Sequence, residues 1–226
     1  MGDPIGQMLP SAVGIAISPL PLIAVILMLA TPKGRTNGIA FATGWTLSLA
    51  AATALLVLAG SGADASGGDG APATWTGWVK LALGVVFVLL AVKQFTGRPR
   101  EGHVAAPPGW MKAIDRFTPA KSAGLAAALA VANPKNLVLV VGGALVIAGS
   151  AAGTGGKTVA AALMVAVASL CTTVPLAVYL LGGERSAKTL DGWKAWMSVH
   201  NAAIMTTVLG ILGAKYIGDA ITTLTT

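Results

Sequence analysis

The amino-acid sequence predicts an all-α integral membrane protein of six transmembrane helices arranged as a 3+3 inverted repeat. Three observations carry that prediction. Six apolar stretches are each long enough to cross a bilayer. Only 10% of residues are charged while 55% are hydrophobic. Two proline-centred interruptions stand half a chain apart. A soluble domain carries about a quarter charged residues, and a helix needs roughly 20 apolar residues to cross the hydrocarbon.

The stretches cover residues 8–30, 36–60, 75–96, 119–148, 156–182 and 194–221. The breaks between them read "TPKGR", "GSGADASGGDGAPAT", a long basic segment from Gly97 to Thr118, "GSAAGTGG" and "GGERSAKTLDG". Residues 1–96 form the first three-helix repeat, 97–118 a cytoplasmic basic loop, and 119–226 the second repeat. The start lacks a basic n-region, its only charge being Asp3, and no small-x-small cleavage site follows the first apolar run. The first stretch is therefore expected to be a retained span and not a signal peptide.

Orientation follows from charge. Lys33 and Arg35 fall in the first loop. Lys93, Arg98, Arg100, Lys112, Arg116 and Lys121 flank the third, and Arg185, Lys188 and Lys194 lie in or beside the fifth. The opposite side receives Lys80, Lys157 and Lys215. Basic loops stay cytoplasmic, so both termini are expected outside. The net charge of +7 is thereby accounted for by topology and does not point to nucleic acid. Trp75 and Trp78 mark the outer end of span three, and Trp193 and Trp196 the inner end of span six. In the third loop "GWMKAIDRF" sets Trp110, Met111, Ile114 and Phe117 on one helical face, with Lys112, Asp115 and Arg116 on the other. That pattern fits either a short helix on the inner membrane surface or an amphipathic connector against the bundle.

Span one is interrupted by "AISPLPLIAVILML" and span four by "VANPKNLVLVVGGAL". Pro19 and Pro134 are 115 positions apart, and at that offset Ser18 falls opposite Asn133. Proline removes a helix hydrogen bond and clashes with the preceding turn, and an ammonium at membrane depth costs about 3 kcal/mol or more. With an odd number of spans per half, the second half is inverted. Paired interrupted helices at corresponding positions point to a transporter's central site. Each resuming helix presents free N–H groups and a positive dipole end. Lys135 adds a full charge, and Ser18, Asn133 and Asn136 can hydrogen-bond a headgroup or the freed backbone. Ser18, Pro19, Pro21, Asn133, Pro134, Lys135 and Asn136 are therefore the expected substrate-binding residues, for a phosphate, sulfate or carboxylate in preference to a metal cation.

Asp3, Asp64, Asp69, Glu101, Asp115, Glu184, Asp191 and Asp219 all fall in loops or near span ends, so no carboxylate is placed deep in the membrane. His200, beside Asn201, is the near-membrane group that titrates around neutrality. It is read either as a coupling residue or as an interfacial histidine bonded to a neighbour. Thr43, Trp45 and Thr46 of span two and Thr172, Thr173 and Pro175 of span five occupy matching places in the two halves. Helix-to-helix glue is their expected role. The single cysteine, Cys171, excludes an internal disulfide and is expected to be a packing residue. No catalytic residues, metal ligands or cofactor are expected, nor is an enzyme, since the chain lacks a CxxC pair, a nucleotide loop and an embedded acid–base pair.

With "SPLP" in span one and "NPK" in span four, the chain resembles the lysine-exporter superfamily. "ISPLPLIAVILML" followed by "NGIAFATGW" is most similar to its peptidoglycolipid-addressing, or sulfolipid-addressing, branch. These are actinobacterial membrane proteins implicated in moving glycolipids toward the cell surface. The resemblance implies that Pro19, Pro21, Asn133, Pro134 and Lys135 line or shape a translocation site in the plasma membrane. Amino-acid exporters of the superfamily read closer to "PGP" where this chain has Leu20. The expected function is export of an anionic amphiphile such as a glycolipid or other envelope lipid. The alternatives are an exporter of amino acids or small ions and a non-transporting scaffold for envelope-lipid assembly. Expected partners are membrane lipids, the anionic lipid substrate, a second copy of the chain in a homodimer, and proteins of envelope-lipid synthesis or export.

Overall fold

The computed structural model describes residues 2–66, 73–97, 114 and 116–225, and all the regular structure among them is helical. In chain order the α-helices are α1 (Gly2–Ala16), α2 (Pro19–Leu29), α3 (Gly34–Ser66), α4 (Ala73–Thr96), α5 (Pro119–Ala127), α6 (Pro134–Ala148), α7 (Thr154–Ala168), α8 (Leu170–Leu181) and α9 (Arg185–Thr225). A wider π turn, Ala128–Ala132, continues α5 toward α6. Three helices are long and apolar enough to cross a membrane alone: α3, α4 and α9. Three more spans arise if each bent pair counts as one: α1 with α2 (46°), α5 with α6 (64°) and α7 with α8 (54°). The chain is thus a multi-pass membrane protein.

The core is built where these helices meet. Trp45, Phe41 and Phe87 are its largest fully buried side chains, joined by Met8, Ile15, Met28 and Leu139. The most extensive pairing joins α4 and α9, which run antiparallel. Small residues let them approach: a Cβ added to Gly84 would sit 2.9 Å from the Ile217 backbone nitrogen, and one on Gly213 3.1 Å from that of Val88. Without a hydrophobic force between helices in lipid, such close packing is what holds a pair together. The rings of Phe87 and Tyr216 meet across the seam in a tilted pair, 5.4 Å between centroids. In this register Thr96, the last residue of α4, is level with Met205, so the part of α9 from Arg185 to Ile204 projects past the end of α4.

Several boundaries depart from the sequence expectation. The fifth break contracts to residues 182–184, and α9 starts at Arg185 instead of 194. Two local contacts extend it: Ser186 Oγ donates to the Gly183 carbonyl at 2.7 Å, and Lys194 pairs with Asp191 at 2.7 Å. Helix α3 continues to Ser66, taking in the start of the Gly/Asp-rich stretch. Span five, expected to be continuous, bends at Ser169. The hydroxyls of Thr172 and Thr173 both donate to the Ser169 carbonyl at 3.0 Å, a back-bonding that bends helices. Pro175, inside α8, has no N–H to give the turn below it.

Of the expected third-loop helix, Trp110, Met111, Lys112 and Asp115 lie outside the described residues. Ile114 is buried in the core cluster and Phe117 packs against it, so these two members of the apolar face sit on the bundle. Trp78, Trp193 and Trp196 are exposed on the helix surfaces, as interfacial residues are. The side chain of Trp75 lies outside the described residues.

Candidate functional site

Both proline breaks are built alike. Ser18 holds φ −66° and ψ 118°, and Asn133 holds φ −74° and ψ 117°. A residue before proline is pushed out of the helical region into extended backbone, and each proline then opens a new helix at its first position, where no N–H is needed. Pro21, two residues further, still falls within the first turn, whose N–H groups have no intrahelical partner.

The caps differ. Asn133 Oδ1 accepts from the Lys135 N–H at 3.1 Å, whereas the Ser18 side chain makes no capping bond. Beyond the second break, Asn136 is fully buried. Its Nδ2 donates to the Leu129 carbonyl at 2.9 Å. That carbonyl belongs to the π turn, whose next donor in register would be the nitrogen of Pro134, which carries no hydrogen. Asn136 thus takes up an acceptor that the break sets free, as a membrane interior demands. Its Oδ1 remains buried without a partner among the described residues.

Lys135 is half-buried, and its ammonium donates to Gln94 Oε1 near the end of α4. Gln94 is a site residue that sequence reasoning missed. The signal was an amide beside Lys93 in the otherwise apolar run "LLAVKQF". The ion pairs formed among the described residues, Lys194–Asp191 and Lys215–Asp219, lie elsewhere. Lys135 therefore carries a charge whose partner is a neutral amide.

The two breaks are placed differently. Ser18, Pro19 and Pro21 are buried, while Pro134 is exposed and Asn133 half-buried. Helix α2 packs on α3, α8 and α9, whereas α6 packs on α1, α3, α7 and α4. The spans meet through their other halves: α1 lies against α6, with Gly14 facing Leu139 and Gly143 facing Ser11. Helices α2 and α5 share no comparable packing. Among the described residues no hydrogen bond joins the Ser18–Pro21 segment to the Asn133–Asn136 segment.

The bend in span five forms a third break. Trp45 Nε1 donates to the Ala168 carbonyl at 3.4 Å, and Thr46 Oγ1 to Ser169 Oγ at 3.1 Å. Span two thus reaches span five at Ala168 and Ser169, while Thr172 and Thr173 bond within span five to the Ser169 carbonyl. Cys171 is a buried packing residue with Sγ 3.4 Å from the Ala168 carbonyl. His200 is exposed on the projecting part of α9. Its Nδ1 lies 2.8 Å from the Trp196 carbonyl, and its ring stacks on that tryptophan at 4.5 Å. It stands beyond the end of α4, apart from both proline breaks.

The family model described as Sap, sulfolipid-1-addressing protein, covers residues 8–222, which takes in all three breaks, Gln94 and Lys135. No curated protein and no solved structure matches the chain. A family match over nearly the whole length, on a multi-pass helical membrane protein, places this chain in the sulfolipid-1-addressing protein family.

Proposed function

We propose that the protein exports an anionic amphiphile, a glycolipid or related envelope lipid, across the plasma membrane with both termini outside. The observation that carries the reading is Lys135. It is an ammonium in the first turn of a helix that restarts within a span, without a carboxylate partner among the described residues. Helix dipole and ammonium act together on an anion there. The orphaned Asn136 Oδ1 beside it is an acceptor, and a buried acceptor calls for a donor. A sugar hydroxyl supplies one; a sulfate or carboxylate ion by itself does not.

A 3+3 inverted repeat is part of this reading, and the helix pairings are consistent with it. Exchanging the halves maps α1 on α7 to α5 on α3, and α2 on α8 to α6 on α3, while α4 on α9 maps to itself; all of these pairings are present. The matched backbone at Ser18 and Asn133 fits the same exchange. Of the pairings that lack a counterpart, α8 on α9 and α1 on α9 among them, the most extensive is α1 on α6. Helices α1 and α6 pack together while their counterparts α5 and α2 do not. In this topology α1 and α6 are the outer halves of their spans, so the asymmetry fits a site closed outward and reached from the cytoplasmic leaflet. Alternating access then consists of parting α1 from α6 while α2 closes on α5.

Thermal stability of the purified chain tests the substrate class, because a ligand that binds the folded state raises the melting temperature. An anionic glycolipid is expected to stabilise the wild type and to lose that effect in Lys135→Leu. Stabilisation by an amino acid or a metal ion alone would overturn the reading in favour of small-solute export. Indifference of Lys135→Leu to every ligand effect would favour a scaffold.

A further inference from the structure

Where α8 ends and α9 begins, the loop-side rim carries an open cleft of about 550 Å³ lined by Arg35, Tyr179, Leu180, Leu181, Gly183 and Ser186. It lies at the opposite end of α8 from the Ser169 bend and is distinct from the Lys135 site. The fold builds it in three steps. Gly38 of α3 lies against the Leu176 side chain, which brings the first turn of α3 level with the last turn of α8. Gly183 then reverses the chain at φ 56°, a conformation open to glycine at little cost. Finally Ser186 closes the turn, its N–H and hydroxyl both bonding the Gly183 carbonyl at 3.1 and 2.7 Å. That carbonyl is thereby occupied, and the charge left lining the cleft is the Arg35 guanidinium.

Arg35 is exposed and makes no side-chain hydrogen bond or ion pair among the described residues. The two turns that frame the cleft also carry Lys33, Arg185 and Lys188 against one carboxylate, Glu184. Next to this positive corner Leu180 and Leu181 are 43% and 87% exposed, at the end of an apolar span. A headgroup-sized cationic recess bordered by bare leucines matches neither a free ion, which has no use for the leucines, nor a neutral lipid, which leaves the guanidinium unpaired. Arginine forms two-pronged, charge-assisted bonds to phosphate and sulfate.

We infer that this cleft is a second lipid site, which holds the phosphate or sulfate headgroup of an anionic lipid of the adjoining leaflet on Arg35 with its acyl chains along Leu180 and Leu181. It acts as a docking position on the rim, and its occupancy does not require the Lys135 site.

Native mass spectrometry of the full-length chain in detergent, titrated with dioctanoyl phosphatidylglycerol, reads the number of lipids bound. In Lys135→Leu, anionic lipid is expected still to bind. Adding Arg35→Gln is expected to weaken that binding about tenfold, the scale of one charge-assisted bond, while Arg35→Lys keeps part of it. Dioctanoyl phosphatidylcholine is expected to bind poorly throughout, and inorganic phosphate to displace the anionic lipid weakly. Should Lys135→Leu fail to fold, Arg35→Gln alone is compared with wild type and is expected to bind one lipid fewer. Arg35→Gln without effect, or complete displacement by inorganic phosphate, would overturn the proposal. Loss of all binding in a folded Lys135→Leu would overturn it too, while leaving the central-site reading standing.

Discussion

Asn136 shows how one side chain makes a broken span tolerable. Its amide satisfies Leu129's carbonyl across the π turn, so the break exposes no backbone acceptor there. Asn136→Leu removes that donor and leaves the carbonyl buried and unpaired, which costs about 1–3 kcal/mol. A lowered melting temperature of the purified variant in detergent is the expected result; an unchanged one would mean that water or another donor reaches Leu129. Lys135 is the complementary case. Its backbone N–H is capped by Asn133 and its ammonium rests on Gln94, a neutral acceptor that an anionic ligand can replace. The cap is a local consequence of the "NPKN" order, with Asn133 before the proline and Lys135 one residue beyond it, whereas the bond to Gln94 is made across 41 positions.

At the scale of elements, proline makes the breaks in spans one and four, whereas the bend in span five is held by donors from a neighbouring helix. The bend in span five depends on Trp45 and Thr46 of α3. Replacing Trp45 by Phe keeps the ring in the core and deletes the indole N–H, with an expected loss of about 0.5–1.5 kcal/mol. Amide hydrogen exchange in α7 and α8 is expected to quicken around Ser169 while α4 and α9 stay protected. Uniform protection across both regions would contradict the assigned role. This bend was poorly legible in the sequence. Thr172, Thr173 and Pro175 were visible, but Pro175 lies six residues past the bend, and the donors that complete it come from more than 120 residues away. The breaks at Ser18 and Asn133 were legible because proline dictates its neighbour's backbone locally. The start of α9 was misplaced because Gly182, Gly183 and Gly192 read as loop, whereas Leu190 is buried and holds the segment helical by tertiary packing. Gln94 escaped notice for the same reason: its meaning depends on Lys135, 41 positions away.

For the whole molecule, the proposed alternating access parts α1 from α6 while α2 closes on α5. Ser11 and Gly143 meet where α1 packs on α6, and a Cβ on Gly143 would lie 3.1 Å from that of Ser11 and near the flexible end of Met164. Cysteines at both positions, in a chain with Cys171 replaced by Ser, are expected to cross-link on oxidation after a small adjustment of Met164. Transport is expected to stop in the oxidised form and to return on reduction. Full transport with the cross-link in place would show that α1 and α6 move together.

The most direct measurement is movement of a fluorescent anionic glycolipid between leaflets of proteoliposomes that contain wild type, Lys135→Arg or Lys135→Leu. Losing one charge-assisted bond, worth about 1.5–3 kcal/mol, is expected to slow transfer roughly 10- to 100-fold in Lys135→Leu, while Lys135→Arg keeps a substantial fraction. A neutral glycolipid is expected to move no faster with protein than without it. Equal rates for wild type and Lys135→Leu, with both proteins folded, would contradict the claim that the broken fourth span carries the anion.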